Sequence, residues 1–169
     1  ANKTPKAIDI NRNDIAFLQY TGGTTGLSKG AQLSHSNIIS NIMQCHAWIG
    51  NLFDHKGEIV ITALPLYHIF ALTINCMLFY TTGAKNILVT NPRDMSGFLK
   101  ILKKYPMNYI TGVNTLYNGM LNHPEFKKLK FDQLKLSVGG GMSIQKVVAD
   151  KWKSITGVDL LEGYGLSET

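Results

Sequence analysis

Nine residues, Thr21-Gly22-Gly23-Thr24-Thr25-Gly26-Leu27-Ser28-Lys29, hold three glycines, three threonines and a lysine. Glycine allows positive φ and close backbone approach, so such a loop can turn its N–H groups toward an anion. Threonine hydroxyls can bond phosphate oxygens or a metal, and Lys29 adds a point charge. The pattern has the chemistry of a triphosphate cradle; the plainer alternative is a Gly-rich hairpin turn, which has no use for so many hydroxyls. A second group, Glu162-Gly163-Tyr164-Gly165-Leu166-Ser167-Glu168-Thr169, sets a flat aromatic ring between glycines and follows it with a hydroxyl and a carboxylate. Tyr164 suits stacking on a base, a contact worth about 1–3 kcal/mol. Glu168 is a hard oxygen ligand of the kind Mg²⁺ shares with phosphate; taken alone, a carboxylate is usually a solvated surface group. His68 stands among apolar residues, where a lone histidine is more often a satisfied core residue than a catalyst.

Spacing narrows the kind of cradle. The Walker A loop requires G-x-x-x-x-G-K-[ST] between a strand and a helix. Lys29 instead follows Leu27-Ser28 and precedes Gly30. G-x-G-x-x-G fails as well, because no glycine pair in the loop has a one-residue gap. Gly30 to Ser34 alternates like a returning strand, so the loop is predicted to be the tip of a strand–loop–strand element.

Residues 21–30 resemble the phosphate-loop signature of the adenylate-forming superfamily, which includes acyl-CoA synthetases, peptide-synthetase adenylation domains and luciferases. Three further blocks match in the family's order: Leu64-Pro65-Leu66-Tyr67-His68-Ile69-Phe70-Ala71-Leu72 resembles its substrate-side motif, Gly139-Gly140-Gly141-Met142-Ser143 its adenine-side glycines, and Glu162 to Thr169 its nucleotide and metal motif. The likeness is greatest to the bacterial long-chain fatty acid–CoA ligases and runs from about Asp14 to the end.

The resemblance implies ATP, Mg²⁺ and coenzyme A as reactants, with acyl-AMP as the intermediate. It assigns the ATP/AMP contacts to Thr21, Gly22, Gly23, Thr24, Thr25, Gly26, Lys29, Gly140, Gly141, Glu162, Gly163, Tyr164, Gly165 and Ser167. Thr21 and Glu168 would hold the metal; Lys29, His68 and Glu168 would serve catalysis; His68, Leu72 and Met142 would meet the acyl group. Ser167 replaces the family's usual threonine and keeps its hydroxyl. Leu72 stands about where some long-chain synthetases place a tryptophan gate. Amino-acid-activating relatives hold the substrate ammonium with an aspartate near this motif; Tyr67 to Leu72 carries no acid, and a buried unpaired ammonium is costly. The surrounding Ile69, Phe70, Leu72, Ile74, Met77, Leu78 and Phe79 are apolar and consistent with an alkyl tail, and with the resemblance the expected substrate is a fatty acid. An adenylation module for an aryl or hydroxy acid that loads a carrier protein, and a catalytically dead nucleotide-binding module, stay open.

Composition sets the outer bounds. With 169 residues, 44% of them hydrophobic, the chain can bury a core. It starts without methionine and stops inside a motif. Residues 1–13 read as a polar lead-in and 14–169 as a fragment of the AMP-binding N-terminal domain, without the C-terminal lid. The family's ribose-gripping aspartate and lid lysine lie downstream of this motif, so the isolated fragment is expected to be inactive. The net charge of +6 is spread out, and no basic–aromatic interleaving points to nucleic acid. Cys45 and Cys76 form no metal or disulfide pattern and read as buried thiols of a reducing compartment. No signal peptide is expected from these residues, and the apolar run Ile69 to Tyr80 is short of the roughly 20 residues a bilayer requires. The expected location is cytoplasmic, with peripheral contact at the inner membrane and homo-oligomer formation left open for the parent enzyme.

The residues that could do chemistry need a scaffold. Strands are predicted at Ile15–Tyr20, Gly30–Ser34, Glu58–Leu64, Asn86–Thr90, Tyr109–Val113, Leu134–Val138 and Asp159–Glu162. Between them lie a helix capped by Ser34 or Ser36 and ended by Gly50, a buried helix from Phe70 to Tyr80, and helices at Asp94–Lys104, Asn114–Leu121 and Ser143–Thr156. This alternation predicts an α/β fold with a mostly parallel sheet flanked by helices. Ligands of such sheets gather at the carboxyl ends of the strands, where His68, Gly139 to Gly141 and Tyr164 to Glu168 would all fall.

Overall fold

The computed structural model describes residues 7–21, 29–54 and 57–168. Two strands, β1 (Ile15–Thr21) and β2 (Lys29–Ser34), pair antiparallel with Thr21 opposite Lys29 and Tyr20 opposite Gly30. The predicted strand–loop–strand element is therefore present, and its mouth is framed by Thr21 and Lys29. The five remaining strands form a separate, wholly parallel sheet in the order β4-β3-β5-β6-β7. They are β3 (Ile59–Thr62), β4 (Lys85–Leu88), β5 (Tyr109–Gly112), β6 (Leu136–Gly140) and β7 (Leu160–Gly163).

Successive side chains of a strand point to opposite faces, and β3 and β5 divide accordingly. Ile61 and Ile110 face a cluster with Phe98, Tyr117, Met120, Phe126 and Trp152, supplied largely by α3 (Met95–Lys104), α4 (Asn114–Asn122) and α5 (Lys146–Thr156). Val60 and Tyr109 face the other way, toward Phe53, Leu78 and Phe79. That second layer consists of α1 (His35–Ile49), a π-helix (Ala71–Leu78) and the short α2 (Phe79–Thr81). Both faces of the central strands are covered, so these strands read as near-continuous apolar runs. The Trp152 indole N–H donates to the Ser137 hydroxyl at 3.0 Å, which satisfies the polar atom of the largest fully buried side chain.

Ser34, not Ser36, caps α1. Its hydroxyl accepts from the Asn37 amide at 3.2 Å, and the Asn37 side chain accepts from the Ser34 amide at 2.9 Å, closing a capping box. The residues before β1 join this helix start: Ser36 N donates to Arg12 O at 2.9 Å and His35 N to Asp14 O at 3.1 Å. Gly50 caps the helix in right-handed geometry and leads straight into a 3₁₀ turn, Gly50–Leu52. The buried helix expected from Phe70 to Tyr80 is π-helical over eight residues, where Phe79 N reaches back to Ile74 O. Its apolar residues surround the axis and give no 3.6-residue period, so sequence pattern could place the helix but not its hydrogen-bond register. Cys45 and Cys76 are free thiols and half-buried rather than buried. Among the described residues no helix is long and apolar enough to cross a membrane.

Candidate functional site

Gly140, the last residue of β6, is where three of the sequence blocks meet. A Cβ placed there would lie 3.0 Å from Phe70 Cε1 and 3.1 Å from Gly163 O. Glycine allows this approach without displacing either neighbour. The parallel pairing of β6 with β7 sets Gly139 beside Glu162 and Gly140 beside Gly163. The adenine-side glycines, the substrate-side turn and the C-terminal motif thus share one contact at the carboxyl ends of the strands, as the sheet rule predicts. Gly141 follows with φ of 76°, turning the chain off the sheet in a conformation that favours glycine.

The phosphate-loop hairpin joins the same point. Gln19 Nε2 on β1 donates to Tyr67 O at 2.8 Å, one residue before His68. His68 is exposed, and its Nδ1 accepts from the Phe70 amide at 3.3 Å. That local bond holds the ring against its own turn. Gly22, Gly23, Thr24, Thr25 and Gly26 lie outside the described residues. Their frame does not: Thr21 is half-buried at the end of β1, and Lys29 is exposed at the start of β2.

The C-terminal motif divides by exposure. Tyr164 is 90% exposed, offering both faces of its ring to a ligand. Glu162 and Gly165 are exposed as well, and a Cβ at Gly165 would meet nothing within 4 Å. Ser167 and Glu168 line a cavity of about 300 Å³ with Leu33, Asn37, Asn41 and Thr73. Thr21, Lys29 and His68 are not among the described residues of that wall, so the two expected metal donors do not share this cavity. On the acyl side, Leu72 is half-buried in the π-helix, whereas Met142 is 53% exposed beyond β6.

The cavity also shows residues that motif reading missed. Asn37, Asn41 and Gln44 present a polar stripe of α1 to it, at the i, i+4, i+7 spacing of one helix face. That spacing was readable beside the apolar stripe of Ile38, Ile42 and Ile49. No group of three or more His, Cys, Asp or Glu able to hold a metal occurs among the described residues. Magnesium bound with phosphate takes one or two carboxylates and keeps its waters, and Glu168 beside the Ser167 hydroxyl fits that smaller donor set.

The chain resembles known proteins over most of its length. The chain is 59% identical over 155 residues to the long-chain-fatty-acid–CoA ligase of Escherichia coli O6:H1, covering 92% of this chain and 28% of that protein. It is 57% identical over 163 residues to the enzyme of the same name from Haemophilus influenzae, covering 95% and 29%. The chain therefore spans less than a third of the length of these curated relatives. Among solved structures, ATP-bound MatB from Rhodopseudomonas palustris superimposes with a TM-score of 0.79 at 29% identity, over 96% of this chain and 31% of that one. The profile of the AMP-binding enzyme family matches residues 1–169, and the chain belongs to that family.

Proposed function

We propose that this chain is part of the AMP-binding domain of a long-chain fatty acid–CoA ligase. The observation that carries the reading is the junction at Gly140, where Phe70 and Gly163 converge while Gln19 ties the phosphate-loop hairpin to Tyr67. The substrate class rests on the names of the relatives at 57–59% identity and on the uncharged π-helix Ala71–Leu78 behind the turn.

In this reading a carboxylate oxygen of the fatty acid attacks the α-phosphorus of ATP, the bond to pyrophosphate breaks, and acyl-AMP forms. The thiolate of coenzyme A then attacks the acyl carbon, and AMP leaves. The acid is its own nucleophile, so no covalent enzyme intermediate is needed. The loop amides of 22–26 and Lys29 stabilise charge on the phosphates. By the family resemblance Thr21 and Glu168 would hold Mg²⁺, which would supply Lewis-acid stabilisation of those oxygens when bound. Ser167 bonds the α-phosphate, Tyr164 stacks on the adenine, and Gly140, Gly141, Glu162, Gly163 and Gly165 shape the nucleotide's seat. His68 orients the substrate oxygen, with Leu72 and Met142 on the acyl side. The parent enzyme would work in the cytoplasm, meeting its lipid substrate by peripheral contact with the membrane. The 169 residues alone are expected to give no turnover.

The test is ATP–pyrophosphate exchange in the full-length polypeptide with palmitate, octanoate, acetate, coumarate and a set of amino acids. Exchange driven by palmitate and abolished by Lys29→Ala and by Glu168→Ala is the expected result. Exchange with aryl or amino acids alone would overturn the substrate and keep the chemistry. Exchange with none would leave a dead nucleotide-binding module.

A further inference from the structure

Behind the site, four polar side chains with no part in the mechanism above share one hydrogen-bond network, in which Asn75, Thr62 and Asn86 close a ring and Thr111 donates into it. Thr111 Oγ1 donates to Asn75 Oδ1 at 2.8 Å, and Asn75 Nδ2 donates to Thr62 Oγ1 at 3.0 Å. The Thr62 hydroxyl donates to Asn86 Oδ1 at 2.7 Å, and Asn86 Nδ2 donates back to the Asn75 backbone carbonyl at 2.9 Å. Asn75 is fully buried, and Thr62 and Thr111 are 2% and 1% exposed. The network draws on β4, β3, β5 and the middle of the π-helix. Buried polar chains of this kind strengthen one another, and each member is costly to leave unpaired.

The helix it grips has the unusual register. π-helices are rare and tend to mark functional sites. This one follows directly on the turn that carries His68 and Phe70, with Leu72 N bonded to His68 O at 2.9 Å. The ring holds the helix by its centre, at Asn75, and its N-terminal turn lays Phe70 on Gly140. Loss of these bonds would release the helix from the sheet at Asn75.

We propose that Asn75 is a positioning residue, acting through the π-helix to hold the His68–Phe70 turn against Gly140; the catalytic consequence rests on the ligase reading above. Thr111→Val keeps the shape of the side chain and removes the donor to Asn75, whereas Thr111→Ser keeps the donor. In the full-length polypeptide, hydrogen exchange read by mass spectrometry should show Thr111→Val speeding the amides of 68–80 by about tenfold, the scale expected for one unpaired buried acceptor. The amides of α3 and α5 should stay unchanged, and Thr111→Ser should match the parent. Palmitate-driven pyrophosphate exchange per folded molecule should fall by a similar factor in Thr111→Val, with the KM for ATP unaltered. Uniform acceleration across α3 and α5, or unchanged exchange at 68–80, would overturn the positioning role. If the unsubstituted enzyme exchanges pyrophosphate with no acid, the ligase reading falls and the amide pattern alone decides the role of Asn75.

Discussion

The two ends of the parallel sheet are built from opposite chemistry. At the carboxyl end the buried polar groups are neutral hydroxyls and amides, and the residues aimed outward, His68, Tyr164 and Glu168, are exposed. At the amino end a charged cluster is drawn inside. Glu58, only 4% exposed, receives the Tyr109 hydroxyl at 2.5 Å and the Lys135 ammonium at 2.7 Å on one oxygen, and Lys135 also pairs with Asp54. The Tyr109 hydroxyl lies 2.9 Å from Leu52 O as well. Charges at one end lock strands to loops, while charge at the other stays free to meet a ligand. Substitutions at the amino end should therefore change stability, and those at the carboxyl end chemistry.

The sharpest way to break this contrast is Lys135→Met in the full-length enzyme. Removing one partner of a buried pair typically costs 3–5 kcal/mol, and about 3 kcal/mol is expected here because Lys135 keeps part of its side chain in water. The shift of the denaturant midpoint measures it, and adding Glu58→Leu should recover much of the loss. A midpoint unchanged by Lys135→Met would show that the cluster is ornamental.

Gly140→Ala tests the junction between the two regimes. Its methyl group meets Phe70 and a carbonyl oxygen, so a cost of about 1–3 kcal/mol is expected, with loss of pyrophosphate exchange. Because the methyl group would also lie 3.1 Å from the Gly163 carbonyl oxygen, adding Phe70→Leu should restore only part of the stability.

Acid titration reads the amino-end cluster through Glu58. Burial pushes the Glu58 carboxyl up, but the hydrogen bonds from Lys135 and Tyr109 more than offset this and hold it below its ordinary value of 4.5. A carboxyl with a depressed folded value contributes stability above its unfolded value and loses it as pH falls through the folded one. Stability should be level from neutral pH to about 5 and then decline below roughly 4.5. Urea midpoints across that range check it, and Glu58→Gln should flatten that part of the decline.

The smallest effect on stability belongs to Tyr164→Ala. With the ring 90% exposed, the change should stay within about 0.5 kcal/mol. The same substitution should raise the KM for ATP by about 5- to 150-fold, the equivalent of one lost base stack. A fall in stability without a change in KM would reverse the assignment of this residue.

The unequal chemistry of the two ends also explains what could be read from sequence. Sites of the carboxyl end lie in short contiguous blocks, because a turn that approaches a phosphate demands glycine, hydroxyl and lysine within a few residues. All seven strands fall within a few residues of where β-branched runs and turn signals put them. The amino-end cluster was invisible. Glu58, Tyr109 and Lys135 sit far apart in the chain and meet only because three parallel strands align. The amide network was hidden for the same reason: Asn75 inside an apolar run, and Thr62 and Thr111 at strand ends, become partners only once the sheet has formed. The π register escaped because a helix apolar on all sides carries no phase.

The parallel topology has a consequence for the time the chain needs to fold as it is made. Val60 on β3 pairs with Tyr109 on β5, 49 positions later in the numbering, and no two neighbouring strands of this sheet are joined by a tight turn. At a synthesis rate of 5–20 residues per second, β3 waits roughly 2–10 s for its second neighbour. Through that interval one row of its peptide groups faces solvent beside Val60 and Ile61, the kind of edge on which other chains stick. The antiparallel hairpin pairs residues close in sequence and faces no such delay, so Thr21 and Lys29 can be set opposite one another before the parallel sheet is complete.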